Sequence, residues 1–561
     1  MISHDVIIVG AGLTRMRAAL EAKKEGVDVS IVTKTYPIRA HSVEAQGGIA
    51  ASLARVEENS WEDHMFDTVK GADYLADQDV AEILARKAPE AILELENVGT
   101  LFSRKEDGKL NQRAFGGHSN KRAVMASDKT GHAIEHTLFE QVMKSEVNIY
   151  DEWHVTRLIA EDGVCKGIMA YDMRNGEIKV MKGKSTIFCT GGYGKVYGVT
   201  SNDLQNNGDG IALAFRAGMP LEDMEFVQFH PTGLYPRGTL ITEGARGEGG
   251  HLINDDGERF AKKYAPEMME LAPRDILARA IQTEIQEGRG IDGKDHVHLD
   301  LTHIEEEKIK ERLPLIRELT MDSAGVDPIE EPIPVRPTAH YSMGGIHVNT
   351  NCSTPLDGFF AAGECSCVSV HGANRLGTNS LLECVVFGRR VGREAANYAS
   401  DNSMPSLSSN EYLEKERDKI LHLMEGEGKE KVEELRKELQ ETMRDNVYIF
   451  RSREGLKEAL DKIIKIRERF KEVTISDESK VFNTAYTNAL ELENLIDVAW
   501  NITRNALERE ESRGSHYRTD YEERDDENWL KHSLSYLQNG EISLEYEDVT
   551  ITKYEPKKRE Y

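Results

Sequence analysis

Asp5-Val-Ile-Ile-Val-Gly-Ala-Gly-Leu-Thr-Arg-Met-Arg17 is the stretch on which the fold turns. Residues 5–9 have the continuous apolar character of a strand buried on both faces in a parallel sheet. Gly10-Ala-Gly12 then opens a helix predicted to run to about residue 25, and residues 27–33 read as the next strand. A strand, a glycine turn and a helix suit a dinucleotide site. Bare backbone can approach a pyrophosphate at Gly10 and Gly12, and the helix N-terminus offers N–H groups and positive potential. Two features depart from the simplest version. The third glycine position holds Arg15, whose long side chain is expected to loosen strand–helix packing or to turn toward solvent or a phosphate. The second strand ends in Thr33-Lys34, without the acidic residue that grips a ribose hydroxyl, which disfavours simple NAD binding.

Strand-then-glycine character returns at Thr186–Gly192 and Phe359–Glu364, so the first two-thirds reads as α/β. Pro332–Pro337 reads as a stiff, polyproline-like return segment. Ser400–Asn410 is polar and turn-rich and is expected to be a linker. Beyond it the period becomes helical, with Val432, Leu435, Leu439 and Met443 spaced by three and four, as are Leu456, Leu460 and Ile463. The chain turns irregular from about residue 512, and residues 542–553 are β-like.

The chain has 561 residues, 39% of them apolar, enough for a sizeable core in several domains. Its net charge of −27 argues against nucleic-acid partners and means that any anion site needs a local cluster of Arg and His. No apolar run is long enough to span a membrane, and Met1-Ile-Ser-His-Asp5 lacks the basic start of a signal peptide, so a cytoplasmic location is expected. The six cysteines include no C-x₂-C pair, and Cys365-Ser-Cys367 fits no common metal motif; reduced thiols and no metal site are expected.

The most specific segment is Arg39-Ala-His-Ser-Val-Glu-Ala-Gln-Gly-Gly-Ile-Ala50. Here, and almost from end to end, the sequence resembles the flavoprotein subunit of the succinate dehydrogenase and fumarate reductase (complex II) family. The resemblance implies an α/β fold, multi-domain α+β overall: a Rossmann-like FAD-binding domain at 1–230 and 341–400, interrupted by a capping domain at 231–340, then a helical bundle at 411–511 and a short C-terminal domain at 512–561. It implies FAD joined covalently through His41, and an FAD lining that includes Gly10, Gly12, Thr33, Lys34, Ser42, Gln46, Gly47 and Gly48. Asp209 is expected at the adenosine half, Glu364 at the ribitol or ribose, and Ser380 and Leu381 at the isoalloxazine.

Five further segments match the family where it binds and converts a C4 dicarboxylate: Gln228–Gly233, Leu240–Arg246, Ala272–Asp275, His340–Gly345 and Asn374–Leu381. Succinate and fumarate each carry two carboxylates. Arg375 can grip one bidentately, while His230, Thr242 and His340 can donate to the oxygens. The resemblance makes Arg274 the proton donor and Glu243 with Arg246 the relay that recharges it; their i, i+3 spacing puts the latter two on one helical face. With no iron–sulfur or haem motif in the chain, a separate iron–sulfur subunit is the expected electron partner, with membrane-anchor subunits and any inner-face membrane association reached through it. Thiol-driven fumarate reduction of the methanogen type and, further off, L-aspartate oxidation are the competing activities.

Overall fold

A computed structural model describes residues 2–407, 411–426 and 428–560. The opening strand, Ile2–Val9, lies between Val29–Thr33 and Glu177–Phe188 and is parallel to both, with Val6 opposite Val29 on one side and Ser185 on the other. Asn148–Asp151 extends the sheet beyond Val29–Thr33, and Phe359–Ala361 adds a further parallel strand against Glu177–Phe188. Val164–Asp172 and Trp153–Glu161 complete it as an antiparallel meander. The first helix, Leu13–Lys24, packs against Asn379–Asp401; a Cβ on Gly392 would stand 2.3 Å from the Ala18 carbonyl, so that crossing requires glycine. The parallel α/β unit expected from the sequence is therefore present, and the chain is mixed α/β overall.

The region between the two runs of this domain is entered along Val227–Leu234 and left along Ile333–Ser342, two adjacent antiparallel strands. Together with Thr239–Leu240, Val297–Asp300 and His251–Ile253 they form a second sheet. Here the sequence expectation is corrected. Pro332–Pro337 is not a polyproline connector, because residues 333–337 belong to a strand in the middle of that sheet. Pro337 falls where the ladder shifts register between His230 and Gly233, and such a bulge tolerates its missing N–H.

This inserted region has its own apolar core, from Leu234 through Leu252, Leu277, Ile281 and Leu299 to Val335. The C-terminal helices Glu411–Glu425, Val432–Asn446, Arg453–Phe470 and Thr484–Glu508 do not; Leu435, Leu439, Met443, Leu456 and Ile463 join one continuous core with the parallel sheet. Each such side chain contributes about 1.5–3 kcal/mol by burial, so bundle and sheet stabilise one another. The expected linker starts later than the sequence suggests, since helix Asn379–Asp401 runs through Ser400, and residues 408–410 lie outside the described ones. The hairpin Lys531–Gln538 and Glu541–Asp548 pairs with Leu221–Glu222, tying the chain's end to the nucleotide-binding region.

Candidate active site

Two cavities of about 1100 and 470 Å³ adjoin through shared walls at Ala11, Thr190 and Gln205. At their junction lies the glycine turn. Gly10 has φ +140°, and a Cβ there would sit 2.0 Å from the Cys189 carbonyl. Gly12 faces Ser42, whose Oγ accepts from the Leu13 N–H at 3.1 Å and donates to Glu135 at 2.5 Å. Gln46, Gly47 and Gly48 form the facing wall, Gly48 at φ +133° against the Val124 carbonyl. At the smaller cavity Thr33 ends its strand and Lys34 follows it. The Lys34 ammonium lies 2.6 Å from Asp209 and 2.9 Å from Glu491, and Asn494 donates to the other Asp209 oxygen.

These walls suit FAD. Gln46 Oε1, Thr190 Oγ1 and Asn206 Nδ2, on residues that line the larger cavity, are buried and without protein partners, and so are free to bond a polar ligand. Glu364, Ser380 and Leu381 line its far end, and His41 stands on its wall. The Glu364 Oε1 accepts from the Ser342 N–H at 3.0 Å, and burial raises its pKa. His41 Nδ1 accepts from the Asp203 N–H at 3.3 Å.

Arg15 does not turn toward solvent or into either cavity. Its side chain is buried, lines neither cavity, and donates through Nη2 to the Pro37 carbonyl at 2.5 Å. Burial lowers its pKa to about 10, partly offset by Glu135. The guanidinium thus packs against the loop after the second strand, with Nε and Nη1 left without partners.

The cations demanded by the acidic background gather at the end where Arg375 Nη1 donates to the Ser380 Oγ at 3.3 Å. His230 and His340 lie on the neighbouring strands that frame the inserted region, their rings 5.0 Å apart. Burial first, then Arg274 and Arg375 among their neighbours, hold both far below the usual imidazole range, so they are neutral. His230 Nδ1 accepts from the Thr232 N–H at 3.2 Å, which leaves the ring proton on Nε2. Arg375 lies over the Tyr341 ring at 4.4 Å, with Nε lacking a partner; burial and then Arg274 lower its pKa to about 9. Thr242 caps helix Glu243–Gly247, its Oγ accepting from the Gly244 N–H while its own proton remains available.

Arg274 begins helix Arg274–Glu284 and reaches back to the same cavity. Its Nε donates to Glu243 Oε2 at 2.8 Å and its Nη1 to Gln228 at 2.9 Å. Burial opposes ionisation of Glu243, but Arg274 and Arg246 outweigh it, and the carboxyl sits below its ordinary value. Arg246 Nη2 lies 3.6 Å from Glu243, and its Nη1 donates to the Glu270 carbonyl.

Several residues that shape this end carry no role in the sequence expectations. Gln228 bridges Arg274 to Asn374 and to the Arg375 carbonyl, the Gly116 N–H donates to Glu243 Oε1 at 2.5 Å, and Phe115 lines the cavity. The aromatic–glycine run Phe115-Gly-Gly117 is the signal that could have found them. Among the described residues, Glu222, Asp223 and His532 form the one group with metal-compatible spacing, and none of the three lines either cavity.

Residues 5–381 match the family described as FAD binding domain, and residues 436–561 match the fumarate reductase flavoprotein C-terminal family. The succinate dehydrogenase flavoprotein subunit of Rickettsia conorii is 45% identical over 568 residues, covering 98% of this chain and 95% of its own length. The fumarate reductase flavoprotein subunit of Mycobacterium tuberculosis is 43% identical, with 100% and 99% covered. Among solved structures, a quinol fumarate reductase chain from E. coli superposes with a TM-score of 0.96 at 41% identity, covering 100% of this chain and 99% of that one.

Proposed function

The chain belongs to the succinate dehydrogenase and fumarate reductase flavoprotein-subunit family of FAD-dependent oxidoreductases, and on that premise we propose that it interconverts succinate and fumarate in the larger cavity. One arrangement supports this reading: Arg375, His230, His340 and Thr242 share a cavity with the Arg274–Glu243 pair, His41 and the glycine loop. Arg375 holds one carboxylate bidentately, while the His230 Nε2–H and the Thr242 hydroxyl donate to the other. Both histidines being neutral, the diacid meets positive charge mainly from the two arginines. Bound FAD supplies hydride exchange at N5. In the reducing direction Arg274 gives a proton to the neighbouring carbon, so that hydride plus proton convert fumarate to succinate. Glu243 and Arg246 then form the route by which Arg274 recovers a proton from solvent.

In this reading residues 1–230 and 341–400 hold FAD, 231–340 cap the site, 411–511 form the helical domain, and 512–561 the C-terminal piece. The inserted region's separate core supports its moving as a unit, closing Arg274 onto substrate and excluding water. His41 tethers the flavin. Exposed Tyr36, whose carbonyl accepts from the Arg39 N–H, and exposed Leu204, next to the Asp203 whose N–H bonds His41, suit the docking of an iron–sulfur subunit, which exchanges electrons with the flavin. No helix among the described residues is long and apolar enough to cross a membrane; association with the inner face of a membrane runs, in this reading, through partner subunits.

The test is a pair of assays on purified chain of measured flavin content: succinate with an oxidising dye, and fumarate with a reduced dye. Flavin-loaded protein inert in both directions would overturn the proposal. Acid precipitation reports the tether, a yellow pellet marking covalent flavin and a colourless one refuting the His41 bond.

A further inference from the structure

The smaller cavity holds a buried polar group to which succinate–fumarate chemistry gives no role. His154, on strand Trp153–Glu161, lines it together with Thr33, Lys34, Asp209 and Gly210. The side chain is 2% exposed, yet its Nε2 has no hydrogen-bond partner in the protein. A buried, unmet ring nitrogen is destabilising, so it persists where something else satisfies it.

The groups assigned to this end from the sequence are already engaged. Each Asp209 oxygen accepts a donor, Lys34 on one and Asn494 on the other, and the Lys34 ammonium is shared between Asp209 and Glu491. These links reach across to helix Thr484–Glu508, so Lys34 and Asp209 brace the pocket against the bundle. His154 faces this network: Asp209, Lys34, Glu491 and Lys419 are its charged neighbours; burial, reinforced by the two lysines, outweighs the two carboxylates and keeps the ring neutral. A neutral imidazole nitrogen can donate or accept, according to tautomer, and both kinds of partner exist on an adenine edge and on ribose hydroxyls.

We infer that His154 is a recognition residue for the adenosine half of FAD, contacting the nucleoside directly through Nε2. The inference rests on the smaller cavity being the adenosine end of the FAD site. Specificity for the dinucleotide over a mononucleotide flavin would then draw on His154 as well as on the glycine turn.

The experiment uses the full chain carrying His41→Ala, so that the flavin stays exchangeable, and titrates FAD and ADP separately. His154→Phe should weaken both about tenfold, the loss expected for one buried hydrogen bond with its desolvation, and His154→Gln should recover most of it. Equal affinities in the His154→Phe protein and its parent overturn the inference while leaving the cofactor site intact. Failure of the parent to bind either ligand defeats the underlying site assignment instead. Should the Phe variant not fold, deuterium exchange at the His154 ring C–H serves: ADP should slow it in the parent protein, and an unchanged rate overturns the inference.

Discussion

Arg274 Nε and Glu243 Oε2 lie 2.8 Å apart, both side chains buried, and they open two helices of the inserted region, 31 residues apart along the chain. The pair joins a cation at the larger cavity to a carboxylate held ionised by two arginines. That is the arrangement a recharging proton donor requires.

Replacing Arg274 by Gln or Lys is expected to lower turnover in both directions by at least about 10²–10⁴-fold, the usual contribution of a positioned acid. Flavin absorbance and flavin content should not change. Near-normal steady-state rates in either variant would remove Arg274 from the chemistry.

Glu243→Gln keeps a hydrogen-bond acceptor for Arg274 but loses the charge, and should depress kcat far more than it raises KM. Glu243 also makes a pH prediction. Its native pKa lies below the ordinary 4.5, so the stability it contributes is present above pH 4.5 and is lost as pH falls through the native value. Acid denaturation followed by circular dichroism should therefore show a smaller acid-induced loss in Glu243→Gln than in the parent; identical acid limbs contradict this.

Arg375 has its pKa lowered to about 9, by burial and then by Arg274. Only the protonated guanidinium attracts a dicarboxylate, so KM for succinate and for fumarate should climb as pH rises past about 9. Arg375→Met should raise KM roughly 10–100-fold at neutral pH, the worth of a charge-assisted pair. A KM that stays flat well above that pKa in the parent enzyme would count against Arg375 as the carboxylate anchor.

His532 anchors the C-terminal hairpin, with Nδ1 2.7 Å from Asp223 and 3.4 Å from Glu222, and Nε2 3.4 Å from Asp77. Burial opposes its protonation, but these carboxylates prevail and raise its pKa well above 6.5. The stabilisation is therefore fully present below pH 6.5 and disappears as pH rises through the raised native value. His532→Ala should destabilise the chain by about 3–5 kcal/mol near pH ~6. In thermal melts the gap to the parent should narrow toward alkaline pH; a gap that widens would contradict the ion-pair network.

Much of the fold is legible in the residues themselves. The strand, glycine turn and helix at residues 2–24, the break in period near residue 400, and the apolar stripe from Val432 to Met443 are local signals, each set by backbone sterics or by which helical face is apolar. Arg15 departs from its expected course because a side chain's destination depends on what packs around it, here the Pro37 carbonyl 22 residues away. Pro332–Pro337 departs from its polyproline reading because proline's local preference gives way to pairing with two neighbouring strands.

The sequence alone determined the architecture of the nucleotide-binding region, because a strand, a glycine turn and a helix carry their own geometry, and its family resemblance implied the residues for a flavin and a diacid. Only the tertiary structure decided which of those groups remain free to act. Lys34 is committed to Glu491, 457 residues distant, while His154 keeps an unmet nitrogen beside it. Hydrogen-bonding capacity is shared out among neighbours in space, and no spacing along the chain records how that sharing ends.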